Sequence, residues 1–166
     1  MKVSAQEEYG LRCLMQMARG GAERSLSITE ISRAEGLSAP NVAKLMRIMR
    51  LGGLVSSVRG QAGGYALARP AEDITLDQVL KVLGGPLFES QFCDRHTGIE
   101  KKCAHRGDCS MRPVWMKLQS LVGEVLTRTS LEDLLRGEEQ MTEWVAKFDG
   151  GSRQADRDTL VNATGG

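Results

Sequence analysis

The stretch SITEISRAEGLSAPNVAKLMRIMRLGGLVSSVRGQAGGYAL, residues 27–67, decides the fold of this 166-residue chain. Ser27 is followed three residues later by Glu30, and this capping box predicts a short helix that Gly36 closes. Ser38 predicts the start of a further helix, in which apolar residues recur at helical spacing. Two helices separated by a turn around Gly36 form the helix-turn-helix pattern.

The pattern changes after this second helix. Residues 54–58 are β-branched and alternating, residues 60–64 are rich in glycine, and residues 65–67 predict a second short strand. A β-hairpin directly behind a helix-turn-helix predicts a winged helix.

Further helices are predicted on both sides of this stretch. An amphipathic helix is expected from Ser4 to Gly20, and a capping signature at Thr75 predicts a helix to Leu83. A long apolar-periodic helix starts at Pro113, and Ser130 opens a shorter one. The predicted fold is mainly α with a small β-hairpin. Its parts are a winged helix-turn-helix domain (1–83), a cysteine-rich loop (84–112), dimerisation helices (113–148) and a disordered tail (149–166).

Composition excludes several classes of protein. A composition of 41% hydrophobic and 26% charged residues predicts one globular domain. No apolar run in the sequence is long enough to cross a membrane. The charged N-terminus does not resemble a secretory signal, so we expect a cytoplasmic protein with reduced cysteines and no membrane partner. An aromatic content of 4% disfavours base stacking on single strands.

The net charge of +1 hides a gradient along the chain. Residues 1–70 hold ten Lys and Arg against five acids, a balance of +5, whereas the remaining residues sum to −4. A basic N-terminal part predicts an anionic partner for that part alone.

The second helix of the motif carries side chains suited to double-stranded DNA. Ser38 and Asn41 can bond base edges or phosphate, while Lys44 and Arg47 suit phosphate. The tip of the hairpin adds Arg59, which suits a narrow minor groove, together with the neighbouring Gln61. The alternative is structural: Ser38 could be only a helix cap, and Lys44 only a solvated residue.

Three cysteines lie in the one segment without periodicity. Cys93, Cys103 and Cys109 form C-x9-C-x5-C, a spacing that indicates a metal site but matches neither the paired cysteines of structural zinc nor a ferredoxin motif. Cys13 lies on the apolar side of the first helix and is expected to be a core thiol.

Three thiolates leave one coordination position open on an iron–sulfur cluster. The candidates for it are Glu7, Glu8, His96, His105 and Arg112. For Glu8 the alternative is an ion pair with Arg12 on the helix surface, and for His105 it is a hydrogen bond to a sulfur.

A family resemblance adds to this picture. Residues 53–80, GLVSSVRGQAGGYALARPAEDITLDQVL, together with EYGLRCLMQMA near the N-terminus and the cysteine loop, resemble the Rrf2 family of IscR-like, NsrR-like and RirA-like regulators. The resemblance covers about residues 1–135. It implies a homodimeric winged-helix transcription regulator that pairs through the long helix after the loop.

The resemblance also implies a ligand set. Cys93, Cys103 and Cys109 fall on the three positions that hold an iron–sulfur cluster in many members. IscR-like members place a histidine where this chain has Arg112, whereas NsrR-like members use an acidic residue that matches Glu8, contributed by the other subunit. His105 is the alternative. Members that bind DNA differently with and without the cluster have an acidic residue where this chain has Ala43.

The prediction is a repressor, not an enzyme, whose affinity for an operator is controlled by a [2Fe–2S] or [4Fe–4S] cluster. The cluster would sense iron–sulfur supply, iron, nitric oxide or redox state, and the target genes would include those of cluster biogenesis. Two alternatives stay open. One is a cluster-free regulator of the same fold that uses thiols or zinc, and the other is an iron–sulfur redox protein or enzyme.

Overall fold

The structure is a computed structural model that describes residues 3–21, 24–60, 63–85 and 108–148. The predicted residues Gln61, Cys93, Cys103 and His105, and the tail 149–166, lie outside the described residues. The helices are α1 (Ala5–Arg19), α2 (Ile28–Glu35), α3 (Ala39–Leu51), α4 (Leu76–Gly84), α5 (Met111–Arg128) and α6 (Glu138–Ala146). The strands are β1 (Val55–Val58) and β2 (Gly64–Leu67), and 3-10 turns cover Ala71–Asp73 and Asp133–Leu135. The predicted fold class is confirmed.

Capping explains where most of these helices begin. α1, α2 and α4 each start with a complete capping box, in which a Ser or Thr hydroxyl and a Glu or Gln at the third helical position satisfy each other's backbone N–H groups. Ser38 precedes α3 but makes no side-chain cap bond. A capping hydroxyl accepts the N–H of the second or third helical residue. The second residue of α3 is Pro40, which has no N–H, and the N–H of Asn41 at the third position makes no bond to Ser38. The hydroxyl of Ser38 is therefore not used in capping.

The core lies between α1, α3, α4 and the base of the hairpin. α1 and α3 contribute the largest share of its fully buried side chains, as the apolar periodicity predicts. The members with less than 2% exposure are Cys13, Leu14, Met17, Ile31, Val42, Leu45, Met46, Met49, Leu54, Ile74, Val79 and Leu131.

The hairpin is fixed to the core at its base. β1 and β2 pair antiparallel, from Val55 opposite Leu67 to Val58 opposite Gly64. Leu26, just before α2, adds a bridge to Tyr65 through two backbone bonds of 2.9 Å. A side chain at Gly64 would collide with the Leu26 backbone, so only glycine allows this approach.

The chain returns to the winged-helix domain after α5. Leu131 donates its backbone N–H to Ile74, and Leu76 donates to Thr129, each at 2.8 Å. Thr129 and Leu131 are both 1% exposed. The end of α5 is therefore fixed to the segment that joins the wing to α4.

α5 begins at Met111, two residues before the predicted Pro113, and none of its residues is buried. A proline in the first turn of a helix removes no internal hydrogen bond, so the helix continues back through it.

Aromatic contacts hold the end of α6. The ring of Phe148, two residues after α6, has its centre 4.6 Å from the centre of the Trp144 ring and 4.7 Å from the guanidinium carbon of Arg128. Among the described residues, no helix is long and apolar enough to cross a membrane.

Candidate nucleic-acid interface and ligand residues

The turn between α2 and α3 sets the angle of α3. Gly36 takes a left-handed conformation with φ of 65°, which closes α2, and its N–H donates to Ser32. Ser32 is bonded to Leu37 through both its backbone carbonyl and its hydroxyl. These bonds hold the turn before α3 begins.

α3 has one buried face and one basic face. Val42, Leu45, Met46 and Met49 face the core. The exposed residues of the helix include the three basic ones, Lys44, Arg47 and Arg50. None of the three forms an ion pair within the described ranges, so their charges are available to an anionic partner. Arg50 was not predicted, although its spacing of three from Arg47 would have indicated it.

The start of α3 is open to solvent. Ser38, Ala39 and Pro40 are exposed, and Asn41 is half-buried. Side chains near the start of a recognition helix are the ones that reach base edges in helix-turn-helix proteins. The exposed positions agree with the role predicted for Ser38.

Arg59 follows β1 directly and is exposed. Gly60 has φ of 127°, a conformation open to glycine but strained for other residues, and its carbonyl accepts a 2.9 Å bond from Gly63. This bond holds Gly63 close to Gly60, the residue that follows Arg59.

Glu8 is exposed in the first turn of α1, and its carboxylate has no hydrogen-bond or ion-pair partner in the described part of the chain. The alternative interpretation, an ion pair between Glu8 and Arg12, is wrong. Arg12 instead donates to the Glu35 carboxylate at 3.0 Å and to the Glu35 backbone carbonyl at 2.7 Å.

Glu7, the neighbouring candidate, is only 5% exposed. Its carboxylate accepts the backbone N–H of Ser4 at 2.7 Å and closes the capping box of α1. Its role is structural, which leaves Glu8 as the carboxylate that is free to bind a ligand.

The two described cysteines have contrasting surroundings. Cys13 is fully buried, and burial, with the negative charge of Glu35, raises the pKa of its thiol to about 11. A thiol with this pKa stays protonated near neutral pH and is a poor metal ligand. Cys109 is half-exposed, two residues before α5. The prediction that Cys13 is a core thiol is confirmed.

His96 lies outside the described residues, as do Cys93, Cys103 and His105. Within the described ranges, no three Cys, His, Asp or Glu side chains lie close enough to hold a metal ion. Arg112 follows Cys109 in the first turn of α5, and its backbone N–H donates to the Cys109 carbonyl at 3.2 Å.

Comparison with known proteins identifies the family. The Rrf2 family, described as iron-dependent transcriptional regulators, matches residues 3–137. The chain belongs to the Rrf2 family. Its regulators are winged-helix proteins that bind DNA, which confirms the prediction of a regulator rather than an enzyme.

Three relatives illustrate the range of this family. The chain is 32% identical over 136 residues to protein rrf2 of Nitratidesulfovibrio vulgaris, covering 82% of this chain and 88% of that one. It is similar to the structure of CymR, the global cysteine regulator of Bacillus subtilis, with a TM-score of 0.68 and 30% identity over 81% of this chain and 96% of that one. The structure of IscR from T. potens has a TM-score of 0.63 and 32% identity over 81% and 86% of the two chains.

Proposed function

We propose that this Rrf2-family protein is a homodimeric repressor whose affinity for its operator is controlled by an iron–sulfur cluster. The observation that carries the DNA-binding part is the basic face of α3, where Lys44, Arg47 and Arg50 are exposed and unpaired within the described ranges. The observation that carries the ligand part is the exposed carboxylate of Glu8, which has no partner among the residues that the structure describes.

On DNA, α3 would lie in the major groove. Ser38 and Asn41, at its start, would contact base edges, while Lys44 and Arg47 would contact phosphates. Arg59 would enter the minor groove beside the operator half-site, with Gln61 next to it.

The dimer would form through α5. Its exposed apolar residues include Val114 (57%), Trp115 (47%), Leu118 (41%) and Leu121 (43%). Val114, Leu118 and Leu121 are spaced by four and three residues, and Trp115 lies beside Val114, so the four lie along one side of the helix. An exposed apolar stripe of this kind is typical of a surface that pairs with another chain. A second α5 would bury it.

Cys93, Cys103 and Cys109 would supply three thiolates, and Glu8 of the partner subunit would supply the fourth ligand, with His105 as the alternative. Of the described candidates, Cys109 is accessible and Glu8 is unpaired, so both fit a cluster; Cys13 does not. A bound cluster would supply a centre that is lost or altered by oxidants, nitric oxide or iron limitation. An oxygen ligand binds iron more weakly than a thiolate, which favours a responsive site.

This ligand set would connect the cluster to DNA binding. Glu8 lies on α1, one helical turn before Arg12, and Arg12 is bonded to Glu35, the last residue of α2 before the turn to α3. Release of Glu8 would free the helix that supports the DNA-binding domain, and would change the spacing of the two recognition helices.

A second candidate is a cluster-free regulator that responds through thiols or zinc. The similarity to CymR, named as a global cysteine regulator, favours it. The half-exposed Cys109 would then be a reactive thiol instead of a cluster ligand.

Anaerobic purification followed by visible spectroscopy, metal and sulfide analysis and a DNA-binding assay tests the two candidates. A coloured protein with iron, sulfide and cluster-dependent operator affinity supports the cluster. A colourless protein with specific DNA binding, with or without zinc, supports the second candidate. A coloured protein with no affinity for any duplex contradicts both.

A further inference from the structure

The last turn of α4 is in close contact with the end of α3. Val82 lies against Gly52, the residue directly after α3, and a Cβ at Gly52 would collide with the two methyl carbons of Val82. Gly52 has φ of −81° and ψ of 2°, a conformation open to any residue. Glycine is therefore required at this position for space, not for backbone freedom.

The following residues of α4 make the same kind of contact with α1. A Cβ at Gly10 would come within 2.5 Å of the Leu83 side chain. Gln6 donates its amide to the Leu83 carbonyl, and the Glu7 carboxylate lies against Gly84. One helical turn is thus in contact with both α1 and α3.

The other side of α4 faces the long helix. Leu80 and Lys81 of α4 and Gly123 and Leu126 of α5 line one groove between the two helices. Leu80 is 8% exposed. α4 therefore lies between the helix proposed to pair two subunits and the helix proposed to contact DNA.

We propose that α4 transmits the position of α5 to α3, and that Val82 is a positioning residue for operator recognition. This inference rests on the proposed function, in which α5 pairs two copies. Val82 is half-buried and leaves no space between its methyl carbons and the exposed Gly52, so a displacement of α4 toward Gly52 would push the end of α3 with it. Because the start of α3 meets the bases, a small rotation of the helix changes the base contacts.

The substitution Gly52→Ala tests the contact directly, on the full-length protein and a duplex selected by the wild type from a random library. The new methyl group displaces Val82, so we expect operator affinity to fall about tenfold or more. Affinity for an unrelated duplex should stay within about twofold, because it depends on charges that the substitution leaves in place.

The double variant Gly52→Ala/Val82→Ala removes the colliding methyl groups and should recover most of the lost operator affinity. Gly137→Ala is the matched control, since its added Cβ meets nothing within 4 Å and its φ of −66° suits alanine. Wild-type operator affinity in Gly52→Ala, or no recovery in the double variant, would overturn the proposal. So would an equal loss of both affinities together with a lower melting temperature, which marks a purely structural contact.

Val82→Ala alone keeps the proposal testable if Gly52→Ala does not fold. The gap it leaves should let α4 move without α3, so the difference in operator affinity between cluster-loaded and cluster-free protein should shrink. If Val82→Ala leaves this difference in operator affinity unchanged, α4 does not transmit the position of α5 to α3. A wild type without any such difference contradicts the proposed cluster control instead, while the Gly52 and Val82 measurements still decide the positioning role.

Discussion

The guanidinium of Arg12 binds Glu35 twice, at 3.0 Å to its carboxylate and at 2.7 Å to its backbone carbonyl. Glu35 is the last residue of α2, where unpaired carbonyls give the helix end a partial negative charge. One side chain of α1 thus satisfies both the carboxylate and the end of the helix that precedes the turn. The contact thus fixes the end of α2, directly before the turn to α3, to α1.

Replacing Arg12 with Gln should destabilise the protein by about 1–3 kcal/mol, because it leaves a carboxylate that is only 11% exposed without its charged partner. Lys81→Gln is the matched control. Its ion pair with Asp77 spans one turn on the surface of α4, with the lysine 57% exposed, and its loss should cost well under ~1 kcal/mol. Urea unfolding measures both. Equal losses in the two variants would show that the Arg12 contact adds no stability beyond that of a surface pair.

The raised pKa of Cys13 predicts a pH dependence of stability. The thiol holds its proton to about pH 11 in the folded protein and to about pH 9 in the unfolded chain, so its contribution is complete below pH 9 and lost as the pH rises to about 11. We expect wild-type protein to lose on the order of 2 kcal/mol more than Cys13→Ala across this interval. Urea unfolding at several pH values gives the comparison, and parallel curves for the two proteins would contradict it.

Arg59→Ala should weaken operator binding by about 1–3 kcal/mol, because a guanidinium in the minor groove contributes both charge and shape recognition. Fluorescence anisotropy at moderate salt measures the loss. Arg19→Ala removes another exposed charge, at the end of α1, and is the control. If the two variants bind alike, the tip of the wing does not reach the DNA.

The ligand set predicts two outcomes among the four cysteine variants of anaerobically purified protein. Cys93→Ala, Cys103→Ala and Cys109→Ala should each abolish or destabilise the cluster, since a missing thiolate exposes iron to solvent. Cys13→Ala should keep it. The visible spectrum and its decay in air give the result, and a folded Cys13→Ala protein without colour would overturn the ligand set.

Glu8→Ala should form a cluster with an altered spectrum, faster loss and a changed response of DNA binding. Its melting temperature should be unchanged without the cluster, because the carboxylate has no partner among the described residues. Glu8→Cys should retain the cluster and slow its loss. A wild-type spectrum and lifetime in Glu8→Ala, combined with changes in His105→Ala, would assign the fourth ligand to His105.

Leu118→Arg places a charge in the apolar stripe of α5 and should convert the dimer to monomer at about 10 μM protein, because an unpaired charge at a packed interface is strongly unfavourable. Analytical ultracentrifugation measures the mass. Lys117→Ala, at the adjacent exposed position, is the control and should remain dimeric. A dimeric Leu118→Arg would place the subunit contact elsewhere.

The sequence by itself determined the elements and their order. Ser27 with Glu30, and Thr75 with Gln78, fix helix starts through bonds that span three residues, and Gly36 closes a helix by its own backbone freedom. Such signals are local, so they can be found in the sequence without knowledge of the fold. The exposed positions of Lys44 and Arg47 follow from the helical spacing of the apolar residues in α3, because that spacing fixes which side of the helix faces the core.

Only the tertiary structure decided which distant residues meet. Arg12 is four residues from Glu8 and pairs with Glu35 instead, and Gly52 is required because Val82 is packed against it. Neither partner lies within reach of a local pattern, since each contact depends on how two helices cross. A long-range contact contributes energy only when both of its elements are in place. The packing of the side chains, and no local signal, therefore fixes how α1, α3 and α4 lie relative to one another.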